Sequence, residues 1–230
     1  MKVWIESRHN KSRIIRLLKK HDVKITRSSP EFVLSYGGDG TLLGVSKDFP
    51  KSIIIPIRKS NICARCASFD LNMINHIFNK IEQDEYYIRA FDKVTARVGS
   101  KKLTGLNEIQ LHNKNPQEAI RFSIHARSNN GIVSHKMIIG DGLIAATAYG
   151  STAYYKTVGY QPFSSGIKIG FNNTNPKPRS IILKGIATIK ILRSDGFVFA
   201  DNSPNFVPVR KHSTIKIKAS KDITRFLETE

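Results

Sequence analysis

The spacing of apolar residues changes character once along the chain, near Tyr86, and that change fixes what the sequence can fold into. Before it, short apolar runs alternate with helical patterns. Residues 2–6 (KVWIE), 32–36 (FVLSY) and 53–57 (IIIPI) read as strands. The last is apolar on both faces, as strands buried inside a parallel sheet are. Residues 12–20 cluster Ile14, Ile15, Leu17 and Leu18 on one helical face, with Ser12 as N-cap. A second helix is expected to open at Thr41, and a third over 70–82, where Leu71, Ile74, Ile77, Phe78 and Ile81 fall at helical spacing. This alternation predicts an α/β domain with a parallel, Rossmann-like sheet.

Beyond Tyr86, strand patterns dominate: 87–90, 94–98, 103–110, 119–126, 131–139, 181–183, 187–192, 197–200 and 214–218. Turn signals separate them, including Asn129-Asn130-Gly131 and Ser194-Asp195-Gly196. The second half therefore predicts a β-rich, antiparallel domain. Residues 164–179, rich in Gly, Asn, Pro and Ser, read as loop. The expected division is 1–85 for the α/β domain, 86–215 for the β-rich domain, and 216–230 as a C-terminal segment. Residues 221–230 read as a helix that packs back on the first domain.

The chain has 230 residues and a formal net charge of +19. Its Lys and Arg are dispersed, which marks a solvated basic surface rather than the clustered footprint of a nucleic-acid binder. Such a surface also attracts phosphates. No apolar run approaches the roughly 20 residues of a membrane span, and the start lacks the apolar core of a signal peptide. A soluble, cytoplasmic protein is expected. The two cysteines, Cys63 and Cys66, are too few for a disulfide scaffold, and no second pair completes a structural zinc site. They read as ordinary thiols.

Three segments carry chemistry. In Tyr36-Gly37-Gly38-Asp39-Gly40-Thr41, a strand runs into a glycine turn at a helix start. Backbone amides there can approach a phosphate. The spacing fits neither a Walker A loop nor a Rossmann fingerprint. Its distinctive member is Asp39, which can accept a proton from an attacking hydroxyl, help hold magnesium, or cap the helix. Residues 140–154 (GDGLIAATAYGSTAY) combine small side chains with hydroxyls at Thr147, Ser151, Thr152 and Tyr154. That suits a ligand lying against backbone, or equally a small-residue helix packing closely on a neighbour. Asn107-Glu108 lies within a strand pattern. Asn can read a base edge, and Glu can accept from both hydroxyls of a ribose.

In this order and register the segments resemble the NAD kinase family, across nearly the whole chain. The family pattern is Gly-Gly-Asp-Gly-Thr, then Asn-Glu, then Asp-Gly-Leu-Ile followed by Thr-Pro-Thr-Gly-Ser-Thr-Ala-Tyr. Here these are residues 37–41, 107–108, 141–144 and 147–154. The resemblance implies an NAD kinase-like two-domain architecture and transfer of a phosphoryl group from ATP or polyphosphate to the adenosine 2′-hydroxyl of NAD. Asp39 would accept the hydroxyl proton. Gly37, Gly38, Gly40 and Thr41 would grip the donor phosphates, with Mg²⁺ or another divalent cation carried on those phosphates and no certain metal-ligating side chain. Asn61, Asn107, Glu108, Asp141, Tyr149, Thr152, Ala153 and Tyr154 would bind NAD, Asp141 from a neighbouring subunit. A homodimer or homotetramer is implied, with no membrane or nucleic-acid partner.

The chain departs from the family pattern in three places. Where the family has Asn-x-Gly-x-x-Gly-Phe, this chain has Asn61-Ile62-Cys63-Ala64-Arg65-Cys66-Ala67. Ile139 stands where a basic residue is usual, and Ala148-Tyr149 where the family has Pro and a hydroxyl residue. These are positions at which nucleotide specificity can change. Two competing readings are a lipid kinase sharing the Gly-Gly-Asp-Gly-Thr loop and a basic nucleic-acid-binding module. A nucleotide-binding relative with altered catalysis is a third.

Overall fold

A computed structural model describes residues 1–59 and 69–229. Two compact units divide the chain: Met1–Phe91 together with Ile223–Glu230, and Asp92–Asp222.

In the first unit the order is β1 (Lys2–Glu6), α1 (Ser12–Leu18), β2 (Lys24–Ile25), β3 (Phe32–Gly37), α2 (Asp39–Asp48), β4 (Ile53–Arg58), a 3₁₀ turn (Leu71–Met73), α3 (Ile74–Glu82) and the start of β5 (Tyr87–Val98). The strands pair in parallel in the order β2-β1-β3-β4. The final strand of the chain, Thr214–Glu228, adds Arg225 and Phe226 alongside Ile53 and Ile54, again in parallel. Every residue of β3 is buried, Ser35 included, which explains why its sequence lacks the apolar–polar alternation of a half-exposed strand. Val3, Ile5, Leu34, Tyr36, Ile55 and Ile57 form one face of the sheet, since alternate residues share a side. Ile14 and Leu18 of α1 and Ile74, Ile77, Phe78 and Ile81 of α3 cover that face. Positions i, i+3, i+4 and i+7 make the α3 stripe. Each such side chain contributes on the order of 1.5–3 kcal/mol when fully buried.

Two helix starts differ from the sequence expectation. α1 has Ser12 as its first residue rather than its cap, and the Asn10 side chain accepts the Ser12 amide at 2.8 Å. α2 begins at Asp39, two residues early, because Gly38 takes the extended cap conformation.

The second unit contains the rest of β5, then β6 (Lys101–Gly105), β7 (Glu108–Asn113), β8 (Ile120–Ser128), β9 (Gly131–Gly140) and β10 (Gly142–Thr147). A 3₁₀ turn (Tyr149–Thr152) and the short α4 (Tyr154–Thr157) follow. Then come β11 (Ile167–Asn172), β12 (Ile181–Arg193), β13 (Gly196–Ala200), β14 (Phe206–Val209) and the first part of β15 (Thr214–Glu228). Antiparallel pairing runs β14-β13-β7-β10-β11-β12. The long β12 also pairs with β8, and β8 with β9. Asn129-Asn130 joins β8 to β9 as a two-residue turn, since Ser128 pairs with Gly131. Inward residues of these strands form one core that includes Phe122, Phe171, Ile124, Leu143, Ile169 and Ile189.

Three sequence expectations are corrected in the β-rich half. Residues 164–179 are not all loop. β11 lies inside them, with Ile167, Ile169 and Phe171 buried at period two; the surrounding Gly, Asn and Pro hid that short alternation. Residues 221–228 are strand, not helix, because edge pairing to β4 offers hydrogen bonds and burial that a short surface helix lacks. The expected strand 103–110 breaks into β6 and β7 at residues 106–107, and the cause is the Asp201 carboxylate described below.

Candidate active site

In the first unit, strand order 2-1-3-4 makes the gap between β1 and β3 a topological switch point. In open α/β sheets the crevice outside the carboxyl ends of such strands is where ligands bind. Two segments meet that edge: the loop of residues 7–10 after β1, and the Gly37–Gly38 turn where β3 passes into α2. The His9 ring packs edge-on to Tyr36 with centroids 5.8 Å apart. Lys59, just past β4, brings Nζ within 3.2 Å of His9 Nδ1. At the turn itself, Gly37 is buried while Gly38, Asp39 and Gly40 are exposed. The Thr41 side chain folds back over Gly37. Asp39 stands in the first turn of α2. The exposed carboxylate and the adjoining helix start suit a site where phosphate arrives and a hydroxyl proton leaves.

In the second unit, the turn between β6 and β7 is held from two sides. The Asp201 carboxylate accepts three successive backbone N–H groups: Leu106 at 2.8 Å, Asn107 at 2.8 Å and Glu108 at 3.0 Å. From the other side, the Thr147 amide donates to the Asn107 carbonyl at 2.9 Å. The Thr147 hydroxyl donates to the Leu106 carbonyl at 2.6 Å and accepts the Gly150 amide at 3.0 Å. Gly150 lies so close to the Asn107 carbonyl that a Cβ there would overlap it. Residues 107–108 and 147–152 therefore form one surface, on which Asn107 is half-buried and Thr152 exposed. Behind it, Tyr155 is buried and stacks on Tyr160, with rings 5.2 Å apart.

Glu108 is only 5% exposed. Gln110 donates to its Oε1 at 3.1 Å, and Oε2 is buried with no hydrogen-bond partner among the described residues. Burial, with a smaller push from the negative Asp201, raises its carboxyl to about 7 against the pull of Gln110. Burial also raises Asp201, opposed by its three amide donors and by the positive charge of Lys93. Lys93 is 4% exposed, and burial lowers its ammonium against the attraction of Asp201 and Asp222.

Asp141 is not brought to this surface. It precedes β10, whereas Thr147 ends it, a separation of roughly 20 Å at strand rise. Its carboxylate accepts from Asn113 at 3.4 Å and from Asn173 at 3.1 Å. Tyr149 is buried, while Ala153 and Tyr154 are half-buried beyond the 3₁₀ turn. Asn61 and the Cys63 to Ala67 stretch lie outside the described residues.

No protein-family model matches the chain. Among solved structures, an NAD kinase from Archaeoglobus fulgidus in complex with ATP has a TM-score of 0.82 at 20% identity, covering 100% of this chain and 94% of that one. A yeast NADH kinase complexed with NADH has a TM-score of 0.85 at 14% identity, covering 100% and 84%. These two show the fold. In sequence, an NAD kinase of Clostridium botulinum (strain Eklund 17B / Type B) is 25% identical over 230 residues, covering 93% of this chain and 78% of that protein. The chain is thus similar in sequence, over most of its length, to proteins named NAD kinase.

The α/β unit followed by a β-rich unit is thus an NAD kinase-like architecture. Sequence reasoning missed Asp201, Lys93 and Gln110. A lone Asp in a polar turn after a strand reads as solvated, and only the fold shows it 93–95 residues downstream of, yet bonded to, the Leu106–Glu108 amides. Among the described residues no helix is long and apolar enough to cross a membrane. Nor, among them, do three or more His, Cys, Asp or Glu gather as a metal cage. The exposed Asp39 at the glycine turn, beside the start of α2, fits a magnesium ion of the kind held by one carboxylate and substrate phosphates.

Proposed function

We propose that this chain transfers the γ-phosphoryl group of ATP to the adenosine 2′-hydroxyl of NAD, giving NADP and ADP. The observation that carries the reading is the bond from the Thr147 amide to the Asn107 carbonyl. It joins two motifs 40 residues apart in sequence into one surface. Relatives named NAD kinase support the same activity. The lipid-kinase and nucleic-acid readings are not favoured.

The chemistry is mostly positioning and charge neutralisation. Gly37, Gly38, Gly40 and Thr41 hold the donor phosphates against the start of α2. Asn107, Glu108, Thr152, Ala153 and Tyr154 orient the adenosine, and Tyr149 and Asn61 are assigned to NAD binding as well. The bond between the γ-phosphorus and the leaving oxygen of ADP breaks as the bond to ribose O2′ forms. Asp39 accepts the proton that O2′ loses. A divalent cation, magnesium, would offset the charge of the phosphates.

Asp141 acts from a second copy of the chain, because its own strand carries it away from Asn107. The exposed Ile132 and Met137 on β9 and Ile186 on β12 are apolar side chains available to such self-association. A cytoplasmic location is part of the proposal.

The test is a coupled assay with purified protein, magnesium, NAD and either ATP or polyphosphate. Appearance of NADP with ATP supports the reading. Saturating ATP and NAD with no NADP above the protein-free control would remove it.

A further inference from the structure

We propose that Asp201 is a positioning residue for the dinucleotide site, its carboxylate clamping the turn that presents Asn107 and Glu108. This rests on the nucleotide reading above and adds a residue that reading does not contain.

Three consecutive backbone amides converge on one carboxylate, at 2.8, 2.8 and 3.0 Å, and the Asp201 amide returns a bond to the Glu108 carbonyl at 3.0 Å. Without such an acceptor the turn leaves strand pairing with three donors unmet, two of them on the buried residues Leu106 and Glu108. The approach is close enough that a Cβ on Gly105 would stand 2.8 Å from Asp201 Oδ1. Asp201 itself sits at φ +50°, just past β13, and its carboxylate meets the Glu108 amide at the start of β7. A negative charge placed there is balanced from within the same unit by the buried Lys93. Asp201 touches none of the atoms expected to react. It acts through Asn107 and Glu108, whose backbone it fixes.

Asp201→Asn separates this role from a merely conformational one. Asn tolerates positive φ at least as well as Asp, so a turn that needs only that backbone shape survives. Asn keeps one acceptor oxygen and replaces the other with a donor, which then faces an N–H. Asp201→Asn is expected to speed hydrogen exchange at the Leu106, Asn107 and Glu108 amides by about tenfold or more, with Ile189 in β12 unchanged. It should raise KM for NAD by about tenfold while KM for ATP stays within about twofold. Ile124→Val, a core change on β8, serves as a destabilised control that leaves KM for NAD alone. Unchanged exchange at all three amides overturns the proposal. So does a rise in KM for NAD in the Ile124 control equal to that in Asp201→Asn. Wild-type protein that forms no NADP overturns the proposed activity instead, and the exchange measurement then decides on Asp201 by itself.

Discussion

The Thr147 hydroxyl donates to the Leu106 carbonyl at 2.6 Å and accepts the Gly150 amide at 3.0 Å, so one side chain ties the turn before β7 to the 3₁₀ turn after β10. Thr147 is fully buried. Thr147→Val keeps the shape and removes both bonds, leaving a buried carbonyl and a buried amide unsatisfied, each worth about 1–3 kcal/mol. Urea denaturation should show a loss within or above that range, with most of it restored in Thr147→Ser. A midpoint unchanged in Thr147→Val would show that the hydroxyl does not hold these turns together.

Gly150→Ala addresses the same surface sterically. The new Cβ meets the Asn107 carbonyl, a backbone atom that cannot swing aside as a side-chain end can. Because the Asp201 clamp holds the other side of that turn, displacement should reach the Asn107 side chain. NAD binding measured by calorimetry is expected to weaken at least about tenfold, a loss of about 1.4 kcal/mol. Wild-type affinity in this variant would place NAD elsewhere.

Glu108 gives a pH dependence with a definite sign. Its carboxyl is raised to about 7 in the folded protein, chiefly by burial, against about 4.3 in an unfolded chain. Between those values the folded state holds a proton that the unfolded state has released. The stabilisation from the protonated form is therefore complete below about pH 4.3 and is lost as pH rises through about 7, a difference on the order of 3 kcal/mol. Glu108→Gln is expected to gain stability relative to wild type as pH goes from 5 to 8. In the wild type, NAD affinity should rise over the same window, since ribose hydroxyls supply the donors an ionised Glu108 lacks. Denaturation and NAD titration at pH 5, 6, 7 and 8 check both trends. Parallel stability curves for wild type and Glu108→Gln would contradict the assignment.

The parts of the fold that were legible in the sequence were those whose burial is one-sided and periodic. The α3 stripe of Ile74, Ile77, Phe78 and Ile81 and the apolar run of β4 needed no partner to be recognised. β11 was hidden because its three inward residues sit among turn formers. The last eight strand residues of β15 were misread because their structure comes from β4, far away in sequence. The candidate site follows the same rule. Asp39, Asn107, Glu108 and Thr152 stand within local motifs whose spacing has chemical meaning. Asp201 does not, since three amides bind it from the far side of the sequence and nothing near Ala200 or Asn202 announces them.

The central claim is that Asp39, exposed at the glycine turn, takes the proton from the NAD 2′-hydroxyl. Turnover of wild type and Asp39→Asn, measured as NADP formed under saturating ATP, NAD and magnesium, tests it most directly. General-base catalysis of this kind contributes about 10²–10⁴-fold. The expected result is a kcat lowered by at least about 10²-fold, with an unchanged circular-dichroism spectrum and melting temperature. A kcat for Asp39→Asn within about threefold of wild type would contradict the account.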